Sequence, residues 1–396
     1  MEFLSGCRRS FSLLDNLLMR IVDFLTALGD ALPLAAKGYA KDAVGLQIGF
    51  EKDAKLNTAL VAYEITEEVI DEALDLKANL IICYHPLIFP HISSVSESTR
   101  TGSLVRKLIK NDIALYVVHT ALDSNAEFGT SKLLVDFLGL SDVTVITPLS
   151  DVLEKIVVYV PTGSASILKE AMWAAGAGEI GNYDECSFST VGIGTFRGNA
   201  FTNPTVGKPL HQESVEEVRL EMICERWKSP AILEKMFEAH PYEEVAFDRY
   251  PMSNAHPEFG MGSIGNWSEP KNYDEVLTLI KSVVGTSVLR HNGLKKSEYS
   301  RVACVGGSGM EYYAAAKSKQ ADVFVTGDIH YHDFHRALHD DILMIDAGHS
   351  ETERFVIQGM LKACEAACYS LNLRDKRAES LVIASTVSPN VVRYYN

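Results

Sequence analysis

Four apolar runs of β type, each followed at once by a polar motif, constrain this chain more than anything else in it. The runs occupy residues 79–83, 113–118, 321–326 and 342–345. Behind them come Tyr84-His85-Pro86, His119-Thr120-Ala121-Leu122-Asp123, Gly327-Asp328-Ile329-His330-Tyr331-His332-Asp333, and Asp346-Ala347-Gly348-His349-Ser350-Glu351-Thr352-Glu353. Continuous apolar runs of this length suit strands of a parallel sheet buried on both faces. Open α/β sheets bind ligands just beyond the carboxyl ends of their strands. Four separate segments thus deliver His, Asp and Glu, the donors of divalent-metal sites, to the edge where such folds do chemistry.

The 396 residues exceed what one core usually organises and suggest two or three domains. Up to about residue 150 the pattern alternates β-α-β-α-β, predicting a largely parallel sheet covered by helices. Helical periodicity runs over 17–29, Thr66-Glu67-Glu68 reads as an N-cap with an acidic first turn, and 103–110 is helical. The pattern breaks near Pro148. Residues 151–252 then read β-α-β-β-α-β, the ferredoxin-like order. After Ser253 the first style returns, with helices over 273–284 and 310–317 and a long one from about 352 to 371. Motifs from both flanking stretches must meet to make one site, so the middle segment is read as an insertion. The expected organisation is an extension over 1–12, a core lobe over 13–150, the inserted α+β domain over 151–252 and a second core lobe over 253–396. Each lobe is expected to be a three-layer α/β/α arrangement.

Net charge is −15, and no basic run appears, which disfavours a nucleic-acid partner. Mean hydropathy is +0.02, and no apolar stretch approaches the ~20 residues of a membrane helix. The seven cysteines are scattered without a CxxC pair, and Asp15 interrupts any signal-like apolar region. A reduced, cytoplasmic protein without a disulfide framework is expected. Cys364 and Cys368, one helical turn apart, read as a buried helix face.

His349 and Glu353 are four apart, a spacing that puts both on one helical face. With His85 and Asp123 they make a mixed N/O set suited to Zn, Mn, Fe, Co or Ni. Four such ligands could close a mononuclear site, and bridging carboxylates could instead hold two ions ~3.5–4 Å apart. His332, His335 and His339 share a helical face that could form another metal site, with a surface helix near the cleft as the preferred reading. Gly306-Gly307-Ser308-Gly309 ends a strand and opens a helix, so its N–H groups form a candidate anion cradle, with a tight turn as the other reading. Glu351, Asp328 and His332 are the candidates for a general base.

These motifs resemble the family of GTP cyclohydrolase 1 type 2 homologues, also called Nif-three-like proteins. Val44-Gly45-Leu46-Gln47-Ile48-Gly49 and the glycine loop at 306–309 are similar to two further family segments. The resemblance implies a two-lobed α/β core, a dinuclear centre between lobes and a homohexameric ring with sites facing its interior. It implies His85, Asp123, His349 and Glu353 as metal ligands, with Glu353 bridging. It places His119, His332 and Asp333 around the ligands or against a small-molecule, nucleotide-like substrate. The middle segment resembles the PII-like domain that some members insert, through Gly176-Ala177-Gly178, Gly194-Thr195-Phe196 and His240-Pro241-Tyr242-Glu243-Glu244. Many members have His-His where this chain has Tyr84-His85. A phenol, with its pKa of ≈ 10, ligates only when the metal deprotonates it. A second ion could bind weakly, take Tyr84 as phenolate, or be absent. Lys41-Asp42-Ala43 and Glu64 also depart from the family pattern. The expected function is a metal-dependent hydrolase of a nucleotide or related heterocycle. The alternative is a metal-handling or regulatory protein whose insert senses a small molecule.

Overall fold

The structure is a computed structural model that describes residues 19–373, 380–387 and 391–393. The 1–12 extension and the first residues of the 17–29 helix lie outside them. The chain divides into two compact units, residues 1–147 with 258–396, and residues 148–257.

The larger unit holds two sheets. The first is built from β1 (Gly45–Ile48), β2 (Ala59–Ala62), β3 (Leu80–Cys83), β4 (Ala114–Val117) and a late strand, Val382–Ala384, in the order β1-β4-β3-β2 and then the late strand. Its central pairs are parallel, and β1 runs antiparallel to β4. Every residue of β2, β3 and β4 is buried, as the apolar runs require. Side-chain alternation divides β3 between two clusters. Leu80 and Ile82 join the helices Ile21–Ala31 and Val356–Ser370, while Ile81 and Cys83 join Glu67–Asp75 and Arg100–Lys110. Thr66 caps the third of these helices by accepting from Val69 N.

The second sheet takes β5 (Ser141–Pro148), β10 (Gly260–Lys271), β11 (Arg290–His291), β12 (Tyr299–Cys304), β13 (Val323–Thr326) and β14 (Leu343–Asp346), in the order β11-β14-β13-β12-β10-β5. Strands β12, β13 and β14 are parallel, whereas β10 pairs antiparallel with β12 and β11 with β14. Both sheets are therefore mixed: in the first only the β1 edge is antiparallel, and in the second a parallel centre is flanked by antiparallel β10 and β11. The sequence leaves 260–271 without an assignment, because its glycines and polar residues break the apolar run.

The last helix also differs from expectation. A short helix, His349–Thr352, ends at Glu353, and Val356–Ser370 starts afresh. The apolar face of Val356–Ser370 packs on Ile21, Phe24 and Leu28, and the strand behind it pairs with β2. Helix Val356–Ser370 and strand Val382–Ala384 thus pack with the first sheet. Cys364 and Cys368 are buried on that face.

The smaller unit contains β6 (Leu153–Pro161), β7 (Phe188–Arg197), β8 (Gln212–Glu225) and β9 (Phe247–Met252), with helices Ala165–Ala174 and Ser229–Ala239. Its sheet is antiparallel in the order β7-β8-β6-β9, and both helices supply apolar residues to one core with Ile156, Val158 and Leu220. The late strand Val382–Ala384 of the first sheet is β15.

Candidate metal centre

The carboxyl ends of β2, β3 and β4 in one sheet and of β13 and β14 in the other supply one cluster of side chains. Backbone pairing continues past β3, since Tyr84 N and His85 N donate to Ala62 O and Tyr63 O at 3.0 Å each. Tyr84 joins the cluster that holds Leu80 and Ile82, and just past the strand end His85 reaches the same Glu353 carboxylate. After β14, Gly348 turns the chain at φ +91°, and the short helix behind it sets His349 and Glu353 four apart.

Three imidazoles have a carboxylate beside Nδ1. His349 Nδ1 lies 2.6 Å from Asp328 Oδ2, and His119 Nδ1 lies 2.7 Å from Asp42 Oδ1. His85 Nδ1 lies 3.2 Å from Glu64 Oε2, off hydrogen-bonding alignment. Such carboxylates orient a ligating histidine and leave Nε2 for a metal. The Nε2 atoms of His349 and His85 lie 3.3 and 3.7 Å from Glu353 Oε2. The ligand atoms of His85, His349 and Glu353 all fall within 4.8 Å of one another, so this group could hold a metal ion.

The residues fit such an ion. The Glu353 carboxylate is 4 % exposed, so a cation beside it would offset the cost of burying its charge. Gly307, at φ +63°, keeps the space beside Glu353 open, because a Cβ there would collide with Glu353 Oε1. Two neutral nitrogens and a carboxylate oxygen suit a first-row divalent cation.

Electrostatics reinforce the arrangement. Hydrogen bonding and charge from Glu353, opposed by burial, raise His349 to about 9. Burial pushes the Glu353 carboxyl up, but His349, His85 and the Tyr63 hydroxyl together hold it below its ordinary value. Tyr63 donates to Glu353 Oε2 at 2.5 Å. Asp123 behaves differently: burial, and then the charge of Glu353, raise it to about 6. Its two oxygens accept from the Tyr84 hydroxyl at 3.0 and 2.9 Å, and the same hydroxyl lies 3.3 Å from Glu353 Oε1. His119 and Asp328 both take positive φ, +32° and +55°, a backbone cost that clusters at functional sites.

The structure does not bring every sequence candidate together. Asp328 is engaged by His349. Glu351 is 9 % exposed and lines a cavity of about 690 Å³ with His85, His349 and Asp328. His332 is exposed on the helix Tyr331–His339 and is absent from that lining, and Asp333 pairs with Arg336 at 3.1 Å. In the glycine loop, the N–H groups of Gly306, Gly307 and Gly309 donate to Ser131, Thr352 and Thr326. Those partners favour a tight turn that walls the centre over an anion cradle. Sequence reasoning missed Tyr63, Arg100 and Arg290, which also line the cavity, and noted Asp42 and Glu64 only as departures.

A mixed α/β protein with a candidate metal centre where the strand ends of two sheets converge is the class that these features define. The chain belongs to the Duf34/NIF3 (NGG1p interacting factor 3) family, whose model matches residues 19–379. It is 38% identical over 355 residues to a Halalkalibacterium halodurans protein named "GTP cyclohydrolase 1 type 2 homolog", covering 89% of this chain and 92% of the relative. A Bacillus subtilis protein of the same name is 36% identical over 335 residues, covering 84% and 89%. The crystal structure of a Bacillus cereus protein related to NIF3 superposes with a TM-score of 0.81 at 34% identity, covering 96% of this chain and 100% of that one. Among the described residues, no helix is long and apolar enough to cross a membrane.

Proposed function

We propose that the chain is a metal-dependent hydrolase acting on a nucleotide or related anionic heterocycle. The observation that carries this reading is the convergence of His85 and His349 with Glu353, the two histidines lining a cavity that also holds Arg100 and Arg290. A bound divalent ion would supply an acidified water and a Lewis acid at that wall. The chain's own residues do the rest. Arg290 is steadied by Asp346 at 2.8 Å and Ile329 O at 3.2 Å, and Arg100 by Glu64 at 2.9 Å and Ile65 O at 2.7 Å. Both guanidiniums stay more than half exposed and face an anionic group entering the cavity. Glu351 on the same wall is placed to take a proton.

Other parts of the reading rest on the family resemblance. They are the three-layer form of each half of the core, a homohexameric ring, a cytoplasmic location and a PII-like character for residues 151–252. The strand order β7-β8-β6-β9 supports the last of these.

One observation favours the second reading, a metal-handling or regulatory protein. The smaller unit has its own cavity of about 550 Å³, where the nearly buried Glu217 accepts from the Tyr242 hydroxyl at 2.9 Å. Protein purified without added metal should carry metal by elemental mass spectrometry and hydrolyse some member of a nucleotide panel in a chelator-sensitive way. Bound metal with no turnover on any nucleotide would move the assignment to the second reading.

A further inference from the structure

The two carboxylates of the centre are not in the same situation. Glu353 turns Oε2 toward His85, His349 and the Tyr63 hydroxyl, and turns Oε1 toward Tyr84. Asp123 is outside the group whose ligand atoms converge. Both of its oxygens face the Tyr84 hydroxyl instead. That hydroxyl sits between the Asp123 carboxylate and Glu353 Oε1, the place a second ion bridged by Glu353 would take. Its O–H meets the crowded oxygens of both acids, a task that would otherwise fall to a cation.

The phenol is also locked in place. Tyr84 is 1 % exposed, stacks on Tyr63 with ring centroids 5.8 Å apart, and lies within 5.5 Å of the His119 ring. His119 has its Nδ1 on Asp42, and Asp42 also accepts from Thr120 Oγ1 at 2.5 Å, so the neighbouring ring is fixed too. Admitting an ion between Asp123 and Glu353 would require this ring to leave a close-packed core.

We propose that this chain holds one divalent ion per subunit, on His85, His349 and Glu353, and that the Tyr84 hydroxyl fills the second position and withholds Asp123 from ligation. The proposal rests on the metal-binding reading above, and its test separates the two. The full chain is stripped with chelator, dialysed against excess Zn²⁺ and counted by elemental mass spectrometry, with folding followed by circular dichroism. Wild type should retain one zinc, and Tyr84→His, which restores a nitrogen donor and frees Asp123, should retain two. Asp123→Asn should still retain one. No zinc in wild type overturns the metal reading itself. Two zincs in wild type overturn the single-ion proposal and leave the metal reading standing. One zinc in a folded Tyr84→His, or none in a folded Asp123→Asn, overturns the role given to Tyr84. If Tyr84→His does not fold, ferric loading decides. A visible phenolate charge-transfer band that Tyr84→Phe abolishes would make Tyr84 a ligand and overturn the proposal, and a colourless wild-type complex supports it.

Discussion

Glu353 is a carboxylate 4 % exposed that accepts from two tyrosines and faces two histidines. Its neighbours set two tests. In Gly307→Ala the new Cβ meets Glu353 Oε1 at a backbone φ of +63°. That variant should lose about 1–3 kcal/mol in denaturant unfolding and most of its metal. Glu64→Gln keeps the fold but weakens the anionic partner beside His85 Nδ1. Its metal affinity by calorimetry should drop roughly 10–100-fold, and an unchanged affinity would remove Glu64 from the centre's support. The raised His349 pKa gives a pH test in metal-free protein. A histidine raised from 6.5 to about 9 stabilises the fold fully below the lower value and loses that contribution as pH climbs to the upper one. The thermal midpoint of the metal-free chain should therefore fall between about pH 6.5 and 9, and His349→Asn should flatten that slope. The converging group His85, His349 and Glu353 was legible as a candidate because each lies in a motif that follows an apolar run. Asp42, Arg100 and Arg290 were not, since a loop, a helix start and an edge strand carry no periodic signal pointing to a site.

Elements were legible where local chemistry and burial agree. Helix Tyr273–Val284 matches its sequence assignment because Asn272 and Glu275 form a reciprocal capping box and Gly285, at φ +73°, ends it. Asn272→Ala should cost about 1 kcal/mol in urea unfolding, without touching metal content. Strand β10 was illegible because pairing with β12, and not its own composition, makes it a strand. The break at Glu353 was hidden for a similar reason. The sequence runs on with helical residues, but the chain must turn there to carry Val356–Ser370 onto the first sheet. Phe324, fully buried in β13 and edge-on to Tyr313, anchors the opposite sheet. Phe324→Ala should destabilise by about 3–5 kcal/mol.

At the scale of the molecule, residues 148–257 form a unit of their own, and its two ends lie together. His256 N donates to Leu149 O at 2.8 Å, and β5 and β10, which lead in and out, are neighbours in one sheet. Replacing 149–256 with a short Gly-Ser linker should leave a folded core with an unchanged zinc count. Loss of zinc from a folded core would show that the unit takes part in the centre. The ion itself should stabilise the core by about 2.7 kcal/mol at 100 times its dissociation constant, read as a chelator-reversible rise in thermal midpoint. The return of the last helix to the first sheet also bears on the order of synthesis. Glu353 lies on the segment where the chain crosses from β14 back to helix Val356–Ser370. A nascent chain can therefore finish β1 to β4 and most of the second sheet while still lacking a complete ion-binding group. Metal would be captured only once Glu353 has left the ribosome, so ribosome-bound chains truncated before it would emerge metal-free however much of the fold they had already formed.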